Sequence, residues 1–179
     1  MTRGARRWLM LVLIAGAVVA IDQIAKALVI QSLAPGEIIA PIPALAPVLR
    51  VTYSLNTGAA FGFLPQAGDI FLIMAVVIVI GMFIFYPRIG EKAWLTRIGV
   101  ALVVGGALGN AVDRLVHGAV IDFVYLSIPG VVANVSNFAD HAIVLGVILI
   151  LVDSWFLSGR KPKPEETPPP PQDEPPTAA

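Results

Sequence analysis

The chain has 179 residues, of which 57% are hydrophobic and only 13% charged. Its mean hydropathy is +0.83. So few charges cannot cover that much apolar surface in water, which excludes an ordinary soluble domain and points to lipid as the solvent. No cysteine is present, which excludes a thiol nucleophile, disulfides and cysteine metal sites.

Four apolar stretches each approach the ~20 residues that a ~30 Å hydrocarbon core demands. They run over about residues 8–30, 70–86, 95–115 and 138–157. The first follows Arg3, Arg6 and Arg7 as a signal peptide would, but it continues through "DQIAKALVI" without a clear small-residue cleavage site. It therefore reads as a retained span. Arg88, Lys92 and Arg97 lie between the second and third stretches, and Arg160, Lys161 and Lys163 follow the fourth. The excess of cations on one side predicts both termini and the 87–94 loop in the cytoplasm. The connections 31–69 and 116–137 then lie outside. The first of these carries β-branched and aromatic residues broken by prolines, a pattern of short strands and turns. The segment 161–179, "KPKPEETPPPPQDEPPTAA", is proline-rich and acidic, and is expected to be a disordered cytoplasmic tail beyond a single membrane domain over 1–160.

A helix rises ~1.5 Å per residue, so sequence offsets become depths. Asp22 falls ~21 Å from the inner surface when counted from Trp8, and Asn110 and Asp113 fall ~22 and ~27 Å when counted from Leu95. Asp140, counted back from the end of the fourth span, lies at ~27 Å. Asp122 is near enough to Arg114 to fold back to the same level. Polar groups from separate helices therefore converge in the outer part of the bilayer. Each is costly in hydrocarbon unless paired, so each should face the bundle interior.

Asp22 and Lys26 are spaced i, i+4 and can pair on one face. Asp113–Arg114 reads as structural support, with Arg114 as a counter-ion or clamp. Asn110 is too deep to lack a hydrogen-bond partner. Asp153, near the inner end of the fourth span, reads as a snorkelling or paired interface residue beside Arg160 and Lys161. His117 and His141 flank the cluster without metal-site spacing, and two histidines cannot make a zinc site without carboxylate help. If Asp122 and Asp140 face each other, they share a proton: one can activate water while the other polarises a carbonyl. Intramembrane aspartates also serve proton- or ion-coupled transport, so the residues alone leave both readings open.

The motifs are more particular. "DQIAK" (22–26), "NTGAAFG" (56–62), "GGALGNAVDRLVHGAVIDF" (105–123) and "NFADHAI" (137–143) occur in that order. In this set the chain resembles the bacterial lipoprotein signal peptidases (signal peptidase II) along nearly all of residues 8–157. The resemblance implies a membrane all-α fold: a four-helix bundle, N-in and C-in, with a small β-rich periplasmic cradle and a mobile helix from the second outer loop over the site. It implies an aspartyl protease of the bacterial inner membrane, active near the periplasmic face. Such an enzyme cuts a prolipoprotein just before a cysteine that carries diacylglycerol. The catalytic pair would be Asp122 and Asp140, with Asp22, Lys26, Asn56, Gly58, Asn110, Arg114 and Asn137 in support. No metal, cofactor or nucleic acid is expected; the partners are prolipoprotein substrates and membrane lipid, and the protein is expected to be a monomer. Two positions depart from the pattern: Ala25, where Ser or Thr is usual, and Ser136, where an aromatic residue is common. A transporter relay would carry polar groups across the whole bilayer, whereas the inner half of each span is almost purely aliphatic. An assembly factor held by structural ion pairs, the third reading, would show no turnover.

Overall fold

A computed structural model of the chain describes residues 1–58, 67–128, 130 and 132–157. Residues 59–62 of the second motif, and the tail with Arg160, Lys161 and Lys163, lie outside the described residues. The elements are α1 (Arg3–Ser32), β1 (Ile38–Ile39), β2 (Leu49–Asn56), α2 (Ala67–Phe85), α3 (Trp94–His117), β3 (Val120–Ile128), β4 (Val132–Ser136) and α4 (Phe138–Val152). Among the described residues, four helices are long and apolar enough to cross a membrane. They coincide with the four expected spans, with displaced ends. α1 begins at Arg3 instead of Trp8 because the Thr2 side chain accepts from Ala5 N and caps it.

α3 is the axis of the bundle. Two-thirds of its apolar window is buried inside the protein, against 11–22% for the other three helices, which turn their apolar surface outward. Its buried positions are mostly small: Gly99, Ala101, Gly105, Gly106, Ala107 and Gly109. Small residues let helix backbones approach closely where no hydrophobic driving force acts between helices in lipid. Gly99 and Gly146 of α4 face each other so tightly that a Cβ on either would stand 2.5 Å from the other's carbonyl oxygen. At the end of the bundle where α1 begins, a buried cluster of Leu11, Tyr86, Val100 and Val104 packs with Trp8, which stacks on Phe83 at 5.6 Å. Arg7 pairs with Glu91 at 2.8 Å, fastening the start of α1 to the α2–α3 turn.

The other end carries an antiparallel sheet in the order β1-β2-β3-β4. Here the described residues of the connection after α1, 33–58, form strands and turns, as their composition suggests. The second departs from expectation: the described residues of 118–137 form the β3–β4 hairpin, not a helix. The reason is local. Gly118 adopts φ +69 and closes α3 by donating to Arg114 O, after which "VIDFVYLSI" is too rich in β-branched and aromatic residues to continue a helix. Gly130, at φ +75, lies in the turn. Between Val51 and Ser54 the β2–β3 register shifts, so Thr52 and Tyr53 stand opposite Phe123 alone; Ser54 then faces Asp122. A bulge of this kind re-aims the side chains beside it.

The close α3–α4 approach makes a prediction. Gly146→Val should lower the thermal stability of the purified protein in detergent by about 1–3 kcal/mol, the usual range for overpacking. Gly16→Val, where an added Cβ meets nothing within 4 Å, should leave it unchanged. Equal shifts in the two variants would refute packing as the reason for glycine at 146.

Candidate active site

The site is built on a buried ion triad. Lys26 lies 2.6 Å from Asp22 and 2.6 Å from Asp113, and all three side chains are essentially solvent-free. Each carboxylate also reaches another element. Asp22 accepts from Ala139 N in the first turn of α4 at 2.9 Å, and Asp113 accepts from Ile121 N of β3 at 3.0 Å. The two residues so held are immediate neighbours of Asp140 and Asp122. Gln23 completes the cluster by donating to Asp113 at 2.7 Å and to Gly109 O at 3.2 Å.

Asparagine amides stand next. Asn110 accepts from Lys26 at 3.3 Å and donates to Asp140 at 2.7 Å. Asn137 caps α4: its oxygen accepts from Asp140 N at 2.9 Å, while its amide nitrogen donates to Asp122 at 2.6 Å. Asn56, at the end of β2, donates to the other Asp122 oxygen at 2.9 Å, and its own oxygen accepts from Gly58 N. Gly58 has φ +77, a conformation that favours glycine. Asp122 is 2% exposed. Burial pushes its carboxyl above the usual carboxylate range; the Asn56 amide opposes that, the Asp140 charge adds to it, and the Asn137 amide opposes it.

Arg114 donates to Asn110 O at 3.2 Å and lies 5.4 Å over the Phe71 ring. It thus clamps a carbonyl, one of the roles expected of it, while Asp113 pairs elsewhere. Consecutive helical residues point ~100° apart, and Asp113 turns instead toward Lys26. Asp153 differs from expectation. It is buried against the opposite end of α3, accepting from both Thr96 N and Thr96 Oγ1, where it caps that helix. His117 is exposed, and His141 makes one contact with Ser136 Oγ at 3.3 Å. That contact occupies one of the two departing positions. The other, Ala25, packs against Val29, Leu33 and Phe123.

Gln23 is a member of the cluster beyond those expected from the sequence. Its position one residue from Asp22, inside a span, was the available signal. Two apolar cavities flank the cluster. One of about 230 Å³ lies under the sheet, lined by Leu49, Val51, Phe123 and Phe138 among others. The other, about 170 Å³, lies between helices and is lined by Phe71, Met74, Asn110, Arg114 and Ile143 among others. Two carboxylates, each held by amide donors, can activate water and polarise a carbonyl.

Four apolar helices with a buried polar cluster at one end of their bundle define a multi-pass membrane protein. Residues 14–156 match the family model described as Signal peptidase (SPase) II. The chain is 38% identical to the lipoprotein signal peptidase of Brevibacillus brevis over 83% of its own length and 96% of that protein. It is 36% identical to the one from Geobacillus thermodenitrificans over 87% and 95%. Two solved bacterial membrane enzymes superpose with TM-scores of 0.72 and 0.74 at 30% and 32% identity, covering 86% and 82% of this chain and 94% and 92% of theirs. The chain belongs to the signal peptidase II family. It is a protease that removes the signal peptides of lipoproteins.

The triad predicts a stability effect. Lys26→Met leaves two buried carboxylates without their cation and should destabilise the fold by about 3–5 kcal/mol. Thermal unfolding in detergent measures this, and a shift under about 1 kcal/mol would show that the triad does not hold the site together.

Proposed function

We propose that Asp122 and Asp140 are the catalytic pair. The observation that carries this is Asn137, whose side chain caps the helix bearing Asp140 and donates to the Asp122 carboxylate while its backbone N–H reaches the Asp140 carboxylate at 3.4 Å, so one residue ties both carboxylates into one network. The buried Asp122 favours holding the shared proton, and Asp140 then serves as the base. Asp140 takes a proton from water as its oxygen attacks the scissile carbonyl, while Asp122 gives its proton to the carbonyl oxygen. Collapse of the resulting diol breaks the C–N bond and delivers a proton to the leaving nitrogen. The signal peptide ends in a carboxylate, and the cysteine gains a free amine. Asn56, Asn110 and Asn137 orient the carboxylates, Asp22 and Lys26 hold the elements that bear them, and Gly58 with Arg114 borders the substrate.

The substrate bond lies just before a diacylglyceryl cysteine. Each buried methylene contributes ~0.8 kcal/mol to membrane anchoring, so two acyl chains hold the reacting residue at the site's depth far better than peptide alone. The flanking apolar cavities suit such a ligand. Basic residues cluster at the end opposite the sheet, which supports an N-in, C-in monomer in the bacterial inner membrane with its cradle and active site at the periplasmic face. Residues 1–160 make one membrane catalytic domain, and 161–179 take no part in its chemistry.

Asp122→Asn and Asp140→Asn should each abolish cleavage while the protein still accumulates, because asparagine can neither pass the proton nor activate water. Substantial turnover by either variant would remove that residue from catalysis. The wild-type rate should follow a bell in pH whose limbs belong to the pair. On the alkaline side the rate falls as pH rises through the raised value of Asp122 and the shared proton is lost. In liposomes the diacylglyceryl precursor should be cut efficiently and its unmodified twin hardly at all; equal rates would defeat the lipid-positioning part of the mechanism. A chain ending at Lys163 should cleave at the full rate, and loss of activity in that purified truncation would refute an inert tail.

A further inference from the structure

At the end of the bundle opposite Asp122, four guanidinium groups line one cavity of about 510 Å³. Arg3, Arg6 and Arg7 come from α1 and Arg97 from α3, with Met10 and Glu91 completing the wall. Glu91 is the one carboxylate in that lining, and it is shared by Arg7 at 2.8 Å and Arg3 at 3.5 Å. The cavity thus keeps a clear cationic excess. Arg97 is the unusual member, being 8% exposed. Its Nη2 donates to Ile89 O and Gly90 O, while its Nε is buried without a hydrogen-bond partner among the described residues. A solvated surface cluster would not contain a buried arginine fixed by backbone carbonyls with a donor to spare. Arginine forks suit phosphate oxygens in geometry and in charge.

The surface next to the cavity narrows the ligand. Helical spacing puts Arg3, Arg6, Arg7 and Met10 on the same face of α1 as Leu13, Ala17, Ile21, Ile24 and Leu28. Leu13, Ile21, Ile24 and Leu28 are 58–61% exposed, an open apolar stripe rising ~22 Å from Leu13 to Leu28. A free anion would use the cavity and ignore the stripe. A phospholipid uses both. A choline head group brings its own cation into a positively charged cavity, whereas a head group with net negative charge does not. We infer that this cavity binds the phosphate of an anionic glycerophospholipid whose acyl chains lie along the α1 stripe. It is a second lipid site, ~28 Å along α1 from Lys26 and independent of the substrate. Under the orientation proposed above it draws on the inner leaflet.

The test uses the purified full chain in detergent, where sidedness plays no part and failure of the orientation leaves the result intact. Dioleoylphosphatidylglycerol, dioleoylphosphatidylcholine and inorganic phosphate are titrated separately, with bound lipid counted by native mass spectrometry and phosphate binding read by thermal shift. Two double variants are compared: Arg3→Gln/Arg6→Gln inside the cavity and Arg88→Gln/Lys92→Gln outside it, each checked for fold by precursor cleavage. Phosphatidylglycerol should bind the wild type and the outer variant alike and the cavity variant about tenfold more weakly, with phosphatidylcholine weak throughout and phosphate without effect. Equal weakening in the two variants would mean diffuse surface charge and overturn the site. Phosphate protection matching that of the lipid would make it a soluble-anion site, and equal binding of both lipids would remove head-group recognition; either result overturns the inference.

Discussion

The ammonium of Lys26 is the point on which the rest of this end of the molecule depends. A lysine in a membrane-depth interior is tolerated only when its charge is met at close range. Here two carboxylates meet it at 2.6 Å, one from its own helix and one from α3. Neither carboxylate stops there. Asp22 continues to the backbone of α4 and Asp113 to the backbone of β3, so four elements are joined through one cation. Buried ion pairs are weak evidence for net stability, because desolvation offsets most of the attraction. Their better-attested use is to specify one arrangement among several. An apolar substitute for Lys26 could fill the volume, but it would not say which backbone N–H must face which helix.

That specificity is needed because the rest of the packing supplies so little of it. α2 and α4 present almost unbroken aliphatic surface, and lipid is as good a neighbour for it as protein. Contact is instead set by shape, through the glycines of α3 and Gly146 of α4. Close approach also brings the polar network within hydrogen-bond range. A Cβ at Gly109 would stand 3.0 Å from Asp22 Oδ2, so the same small residues that admit α4 leave room for the ion triad.

Much of this was legible in the chain. The four spans followed from hydropathy and length, and the convergence of Asp22, Asn110, Asp113 and Asp140 from a rise per residue. The i, i+4 pairing of Asp22 with Lys26 is present as expected. What could not be read was which way a side chain turns once three helices surround it. Asp113 and Arg114 read together as structural support, yet Asp113 turns to Lys26 and Gln23 of α1 while Arg114 turns to the Asn110 carbonyl. Asp153 was judged by its distance from basic residues, while the backbone of Thr96 on another helix took it. The β3–β4 hairpin was hidden for a different reason. A resemblance suggested a helix where the composition of 120–128 already favoured a strand, and the local signal was the better guide. Ser136 and Ala25 sit where neither touches Asp122 or Asp140 directly, one bonded to His141 and the other packed on the Phe123 cluster.

The three asparagines show why amides, and not shorter or charged groups, surround these carboxylates. An amide has an acceptor at one end and donors at the other, and nothing in the side chain itself decides which end points where. Each of these is decided from behind. Lys26 donates to the oxygen of Asn110, Asp140 N to that of Asn137, and Gly58 N to that of Asn56. With every oxygen engaged, every NH₂ turns to a carboxylate: Asn110 to Asp140, and Asn137 and Asn56 to Asp122. Serine at 137 would keep the cap but not reach across, and aspartate would keep the cap while adding a third negative charge. The donors work against the burial that raises Asp122, without reversing it. Each amide is oriented by a backbone N–H or by Lys26 and not by its own chemistry, so the hydrogen bonds that reach Asp122 and Asp140 are set by groups behind the asparagines.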